Sequence, residues 1–140
     1  MNILFLCTGN SARSILGEVI FNELFSQYGR SYSAGSNPVG RVNPMALEVL
    51  REHGHNIEGL RSQNISDFVN AGAPVMDVVV SVCDNAAQDC VVWPGVGSPK
   101  RMHWPLDDPA LVEDVQEKRF AFEYSYRVLK DKIGSMVTCL

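Results

Sequence analysis

A cysteine and an arginine near the start of the chain have a spacing that suits anion chemistry. The run is Cys7-Thr8-Gly9-Asn10-Ser11-Ala12-Arg13-Ser14. Between a strand and a helix, such a loop can wrap successive backbone N–H groups around one anion, and the helix dipole adds positive potential. Arg13 can grip two oxygens with its planar guanidinium. Both effects stabilise a thiolate at Cys7, so this sulfur is predicted to be a nucleophile.

Three further residues of this loop fit the same interpretation. Gly9 and Asn10 tolerate the positive φ that a tight curl requires, and Ser14 can donate a hydrogen bond to the sulfur. The alternative is a buried cysteine at the end of a strand with an unrelated surface arginine nearby. That alternative suits a cysteine and an arginine alone, whereas the full eight-residue pattern favours an anion site.

A second group of candidates follows Trp104, where the run Leu106-Asp107-Asp108-Pro109-Ala110 offers two carboxyl groups. Oxyanion transfer needs a proton for the departing oxygen, and a carboxyl group can supply it. The alternative is that both aspartates cap the helix that follows.

The third group is the cysteine pair Cys83 and Cys90, seven residues apart in the run Cys83-Asp84-Asn85-Ala86-Ala87-Gln88-Asp89-Cys90. Hydrolysis at Cys7 would not require a cysteine at either position, whereas a reduction requires a source of two electrons. Two unrelated buried thiols are one alternative. A zinc site is another, although the chain has no close cysteine pair for it. Cys139, next to the end of the chain, is predicted to be incidental.

The elements that must position these residues alternate between strand and helix. Short apolar runs predict strands at residues 3–6, 31–34, 77–82 and 100–104. Apolar stripes predict three helices, with inward residues Ile15, Leu16, Val19, Ile20, Leu24 and Phe25 in the first, Met45, Ala46, Val49 and Leu50 in the second, and Phe122, Tyr126, Leu129, Ile133 and Met136 in the last. His53 and His55 are predicted at the surface where the second helix ends.

This alternation predicts an α/β fold of three layers, in which a four-stranded parallel sheet has helices on both faces. Ligands of such sheets bind beyond the carboxyl ends of the strands. Cys7, Cys83 and the segment after Trp104 all follow predicted strands. We therefore expect them to converge on one edge of the sheet.

Composition limits the class of protein. The 140 residues suit a single domain, 1–140, and the formal charge of -4 argues against a nucleic-acid partner. The sequence shows neither a membrane span nor a signal peptide. We expect a cytoplasmic monomer, in which four cysteines are more typical of redox or catalytic chemistry than of structural disulfides.

The loop at residues 7–14 resembles the phosphate-binding loop of low-molecular-weight protein tyrosine phosphatases and of the arsenate reductases that share their fold. Tyr32-Ser33-Ala34-Gly35, the strand ending at Cys83 and the segment from His103 to Ala110 follow in the expected order. The resemblance implies that Thr8, Gly9, Asn10, Ser11, Ala12, Arg13 and Ser14 bind the substrate oxyanion. It also implies that Asp108, the aspartate directly before proline, is the general acid. Ala110 departs from the phosphatases, which have an aromatic residue there, and this suits a small inorganic substrate.

For the thioredoxin-coupled reductases the resemblance implies a relay of three cysteines. Cys7 would attack arsenate, Cys83 would attack Cys7 and release arsenite, and Cys90 would then form a disulfide with Cys83. A helical 83–90 segment would separate its ends by about 10.5 Å along the axis. A disulfide requires Cα atoms within about 7 Å, so we predict that this segment unwinds on oxidation.

Several alternatives remain open beside this relay. The reductant is thioredoxin, or alternatively glutaredoxin with glutathione, and phosphate and sulfate are expected substrate analogues. The rival enzyme is a phosphatase that hydrolyses phosphate monoesters through a Cys7 phosphocysteine, and a non-enzymatic oxyanion or redox sensor is a further rival. No tightly bound cofactor is expected. The resemblance suggests a potassium ion held by Asn10, Glu18 and Ser33, although Glu18 could equally be a solvated charge.

Overall fold

The computed structural model describes residues 1–70, 72–83, 95 and 97–139. The strands are β1 (Asn2–Cys7), β2 (Arg30–Gly35), β3 (Val78–Cys83) and β4 (Lys100–Leu106), and the α-helices are α1 (Arg13–Leu24), α2 (Pro44–Glu52) and α3 (Val115–Thr138). Short 3₁₀ helices span Ser26–Tyr28, Ile65–Phe68 and Pro109–Leu111.

The four strands form one parallel sheet in the order β2-β1-β3-β4. Its central pair is β1 and β3, which end at Cys7 and Cys83. Because parallel strands end at the same edge, this order places the two cysteines at neighbouring strand ends. The predicted α/β class and four-stranded parallel sheet are confirmed, and the two central strands extend one residue further than predicted to include the cysteines.

One face of the sheet is covered by all three α-helices. Ile3, Phe5 and Cys7 of β1 join buried residues of α1, α2 and α3 in one hydrophobic cluster. The predicted stripe of α3 is buried throughout, with Phe122, Tyr126, Leu129, Ile133 and Met136 all at most 8% exposed.

The first helix differs from its predicted stripe at its end. Leu24 is 42% exposed, whereas Phe21, which the stripe omitted, is fully buried. The reason is that α1 contacts the sheet on one side and α3 on another, so more of its circumference is covered than a single stripe. A Cβ at Gly17 would lie 2.8 Å from the Phe5 ring, which shows how closely α1 approaches β1.

The other face of the sheet has a smaller cluster around Leu4, Leu6 and Val79. The 3₁₀ helix Ile65–Phe68 covers it in the described part, and the ring of Phe68 lies 5.7 Å from that of Tyr32, between centroids.

In the described ranges, no helix is long and apolar enough to cross a membrane.

Candidate active site

The sulfur of Cys7 is buried at the end of β1 and lies within hydrogen-bond distance of two groups. The backbone N–H of Asn10 donates to it at 3.2 Å, and Ser14 Oγ lies 2.9 Å away. The Asn10 side-chain amide donates to Ser14 Oγ at 2.7 Å, which leaves the serine hydroxyl hydrogen for the sulfur. Two donors therefore point at this sulfur and stabilise negative charge on it.

Residues 7–14, the anion loop, turn tightly at one position. Asn10 has φ 44°, and it is the only non-glycine residue with positive φ in the described ranges. Gly9 does not share this conformation, so the expectation of positive φ holds for Asn10 alone. Gly9 has a steric role instead, because a Cβ there would lie 3.0 Å from Cγ2 of Val39.

Residues 37–43, the clamp segment, hold the anion loop from outside through the main chain. The N–H groups of Asn37, Val39 and Asn43 donate to the carbonyls of Thr8, Gly9 and Ser11, each at 2.9 Å. The C=O and N–H of a trans peptide point in opposite directions. These bonds therefore turn the N–H groups of residues 9, 10 and 12 away from the clamp segment. The Asn10 N–H, which donates to the Cys7 sulfur, points in this direction.

A second segment holds the loop from the side of β2. Ser62 Oγ donates to the Gly9 carbonyl at 3.2 Å, and the Gln63 N–H donates to Asn10 Oδ1 at 2.7 Å. Gly35, at the end of β2, donates its N–H to the Gln63 carbonyl at 2.9 Å. The loop is thus fixed by contacts from two segments that are remote in sequence.

Arg13 begins α1 and reaches across to the end of β4. Its side chain is 8% exposed, and Nη1 donates to the Leu106 carbonyl at 2.8 Å. Its Nη2 lies 3.7 Å from Oδ2 of Asp108. Arg13 therefore brings the predicted acid to the same place as the anion loop.

Asp108 caps the helix that follows it, as one of the two interpretations predicted, and its carboxyl group also faces the cavity. Its Oδ1 accepts the N–H of Ala110 at 3.0 Å and caps the 3₁₀ helix Pro109–Leu111, while Oδ2 faces Arg13. The side chain is 28% exposed and lines the cavity, whereas Asp107 is exposed and does not. The carboxyl group can therefore cap the helix and still meet a ligand.

A cavity of about 230 Å³ joins these groups, with Cys7, Arg13 and Asp108 in its wall and Arg41 and Ala110 beside them. The volume suits a tetrahedral oxyanion. A nucleophilic sulfur, a cation and a proton donor facing one small cavity can perform displacement at the central atom of such an anion.

The other predicted cysteines are placed as follows. Cys83 is 2% exposed and belongs to the same buried cluster as Cys7. Cys90, and with it the predicted unwinding of the 83–90 segment, lies outside the described residues. Cys139 is exposed at the end of α3.

The residues proposed for potassium form part of a polar network under the loop. Ser33 Oγ donates to Glu18 Oε1 at 2.5 Å. Burial raises the pKa of Glu18, while the Ser33 hydrogen bond and the charges of Arg30 and Arg61 oppose that rise. Glu18 is therefore a partly buried, hydrogen-bonded carboxyl group and not a freely solvated one. Within the described ranges, no cluster of three or more His, Cys, Asp or Glu side chains could hold a metal ion, so the zinc alternative has no support there.

The histidines at the end of α2 form a group that the sequence did not predict. The His55 side chain is 5% exposed, and its Nε2 lies 2.6 Å from the hydroxyl of Tyr126 on α3. The ring of His53 stacks on Tyr126 at 3.9 Å between centroids and 14° between planes. The expectation that both histidines are surface residues is wrong for His55, because α3 packs over it.

Comparison with known proteins defines the class. Residues 2–138 match the family of the low molecular weight phosphotyrosine protein phosphatase, and the chain belongs to this family. Its relatives include an arsenate reductase of Bacillus subtilis, which is 37% identical over 134 residues and covers 95% of this chain and 89% of its own.

Solved structures agree with that assignment. An arsenate reductase from Archaeoglobus fulgidus superimposes with a TM-score of 0.72 at 26% identity, over 94% of this chain and 98% of its own. An arsenate reductase in the phosphate binding state gives a TM-score of 0.77 at 26% identity, over 98% of this chain and 96% of its own.

Proposed function

We propose that this protein reduces arsenate to arsenite through a relay of cysteine thiols. The observation that carries the proposal is the second buried thiol, Cys83, at the strand end next to the nucleophile Cys7. Phosphate-ester hydrolysis would use Cys7, Arg13 and Asp108 and leave Cys83 without a role. The arsenate reductases among the relatives support the same choice.

In the first step, the thiolate of Cys7 attacks the arsenic atom of arsenate and an As–S bond forms. An oxygen leaves arsenic with its bonding electrons, and Asp108 protonates it so that it departs as water or hydroxide. The loop N–H groups and Arg13 hold the remaining oxygens. Arsenic is still As(V) after this step.

In the second step, the thiolate of Cys83 attacks the Cys7 sulfur. The As–S bond breaks, its electron pair stays on arsenic, and arsenite leaves as As(III). Two thiols have lost two electrons and a Cys7–Cys83 disulfide has formed. Neighbouring parallel strands lie about 4.8 Å apart, a separation compatible with the usual Cα spacing of a disulfide.

In the third step, we propose that the Cys90 thiolate attacks Cys83, which frees Cys7 and leaves a Cys83–Cys90 disulfide. An external dithiol then reduces this bond by thiol–disulfide exchange. Thioredoxin is the donor we favour because a second resolving cysteine allows transfer to a dithiol protein. Glutaredoxin with glutathione is the alternative donor.

The test is arsenate-dependent oxidation of NADPH in the presence of thioredoxin and thioredoxin reductase. We expect turnover by the wild type, loss of turnover in Cys83→Ser and Cys90→Ser, and no effect of Cys139→Ser, the matched control. Activity only with glutaredoxin and glutathione would change the donor and keep the reaction. Absence of turnover with either donor, together with Cys7-dependent hydrolysis of an aryl phosphate, would replace the proposal by phosphatase activity.

We also propose a potassium ion near Glu18, and the oxygen atoms at this place fit such an ion in part. The Glu18 carboxylate and the Ser33 hydroxyl lie together, but Asn10 Oδ1 is turned toward the Gln63 N–H. Hard oxygen donors of this kind suit an alkali cation. A higher unfolding temperature in potassium than in sodium chloride, lost in Glu18→Gln, is the expected result, and equal temperatures in the two salts would exclude the ion.

A further inference from the structure

A second arginine stands at the cavity, and the relay does not use it. Arg41 belongs to the clamp segment and lines the same cavity as Cys7 and Arg13. Its side chain is exposed, and within the described ranges it makes no ion pair. A guanidinium at this place is available to an incoming anion.

The charges around the cavity show why such a cation matters. The Arg13 guanidinium already has partners within the chain, because Nη1 donates to the Leu106 carbonyl and Nη2 lies 3.7 Å from Oδ2 of Asp108. The Cys7 thiolate adds a negative charge, and the whole chain has a formal charge of -4. A doubly charged oxyanion is therefore repelled by the chain as a whole, and among the described residues that line the cavity Arg41 is a cation with no carboxylate partner.

The main chain on both sides of Arg41 is held in place. Two residues before it, Val39 donates its N–H to the Gly9 carbonyl, and two residues after it, Asn43 donates to the Ser11 carbonyl. Gly40 donates its N–H to Ser62 Oγ at 3.2 Å, and Ser62 in turn donates to the Gly9 carbonyl. The main-chain position of Arg41 is thus coupled to the anion loop, while its side chain is exposed.

We propose that Arg41 is a second anion-binding residue, which captures a doubly charged tetrahedral oxyanion at the mouth of the cavity and sets the affinity for it. Arg13 grips the anion deeper in the site. The identity of the oxyanion as arsenate rests on the proposed function, whereas the capture of such an anion does not.

The experiment uses inorganic phosphate as the probe and the reduced full chain. Iodoacetamide alkylates Cys7, phosphate in the cavity blocks the reaction, and peptide mass spectrometry follows Cys7 separately from the other cysteines. We expect Arg41→Gln to raise the half-protecting phosphate concentration about tenfold, the scale on which a local charge changes anion capture. Arg41→Lys keeps the charge and should recover most of the protection.

The matched control is Arg51→Gln, which removes an exposed arginine of α2 that does not line the cavity. Phosphate should protect Cys7 of this variant as well as it protects Cys7 of the wild type. Added sodium chloride should weaken protection of the wild type and of this control more than that of Arg41→Gln, because the lost charge is the one that salt screens. A merely structural role of Arg41 would not produce this difference in salt dependence.

In arsenate reduction the same variant should raise KM and leave kcat nearly unchanged. Equal protection of Arg41→Gln and the wild type overturns the proposal, and so does an absence of phosphate protection in the wild type. A wild type that fails to reduce arsenate, but whose phosphate protection depends on Arg41, contradicts the proposed reaction and leaves the role of Arg41 intact.

Discussion

At the scale of single residues, the site depends on where hydrogen-bond donors point. Cys7 and Arg13 could be chosen from the sequence because their types and spacing are tied to anion chemistry, and the family resemblance selected Asp108 from the two neighbouring aspartates. The Leu106 carbonyl that holds Arg13 could not, since a main-chain acceptor 93 residues away leaves no side-chain signature. The same holds for Ser62, whose hydroxyl links the clamp segment to the Gly9 carbonyl.

The capping role of Asp108 and its proposed role as general acid can be separated by one substitution. Asp108→Asn retains an oxygen that can accept the Ala110 N–H, so the cap of the 3₁₀ helix is preserved. It removes the transferable proton, and we expect arsenate turnover to fall about 10²–10⁴-fold, the range for loss of a general acid. Asp107→Asn is the control and should retain activity. Full activity of Asp108→Asn in the steady state would show that the residue only caps.

At the scale of elements, the anion loop takes its shape from β2 and the clamp segment as much as from its own sequence. The strands and helices followed from apolar periodicity, and the positive φ of Asn10 suited its residue type. The close approach of β2 to the loop did not follow, because it requires knowledge of strand order. A Cβ at Gly35 would lie 2.5 Å from the Thr8 carbonyl oxygen.

Gly35→Ala should therefore displace the loop. We expect the free energy of unfolding to fall by about 1–3 kcal/mol, as for other overpacked sites, and phosphate protection of Cys7 to weaken. Urea denaturation and the alkylation assay measure the two effects.

Gly134→Ala is the contrasting variant, because its Cβ would have only an ordinary contact, 3.7 Å from Phe25. It lies inside α3, where alanine is favoured over glycine, so we expect stability to rise by about 0.5–1 kcal/mol. A Gly35→Ala protein as stable and as well protected as the wild type would show that β2 does not constrain the loop.

At the scale of the whole molecule, packing of α3 over the end of α2 buries the titratable side chain of His55, which is far from Cys7 in the sequence. Burial lowers the pKa of His55, and the charges of His53 and Lys130 act in the same direction against the opposing effect of Glu23. Burial also raises the pKa of Tyr126, its partner. Polar residues at a helix end usually lie at the surface, and the sequence alone therefore predicts exposure for His55.

Stability should depend on this histidine below neutral pH. As pH falls below about 6.5, the unfolded chain takes up a proton at His55 that the folded chain still refuses, so the free energy of unfolding decreases. His55→Gln can still bond to Tyr126 but does not titrate, and we expect it to flatten this decrease in urea titrations from about pH 8 to about pH 5.5. An unchanged slope in His55→Gln would contradict the assignment.

The clamp segment has one consequence for how this protein can diversify. Its three hydrogen bonds to the anion loop are donated by main-chain N–H groups. Substitutions other than proline at these positions therefore preserve the bonds that orient the loop. The outward side chains of the segment can vary while the geometry of the reaction is conserved, so substrate preference can evolve, or be redesigned, at the cavity mouth without altering the catalytic loop.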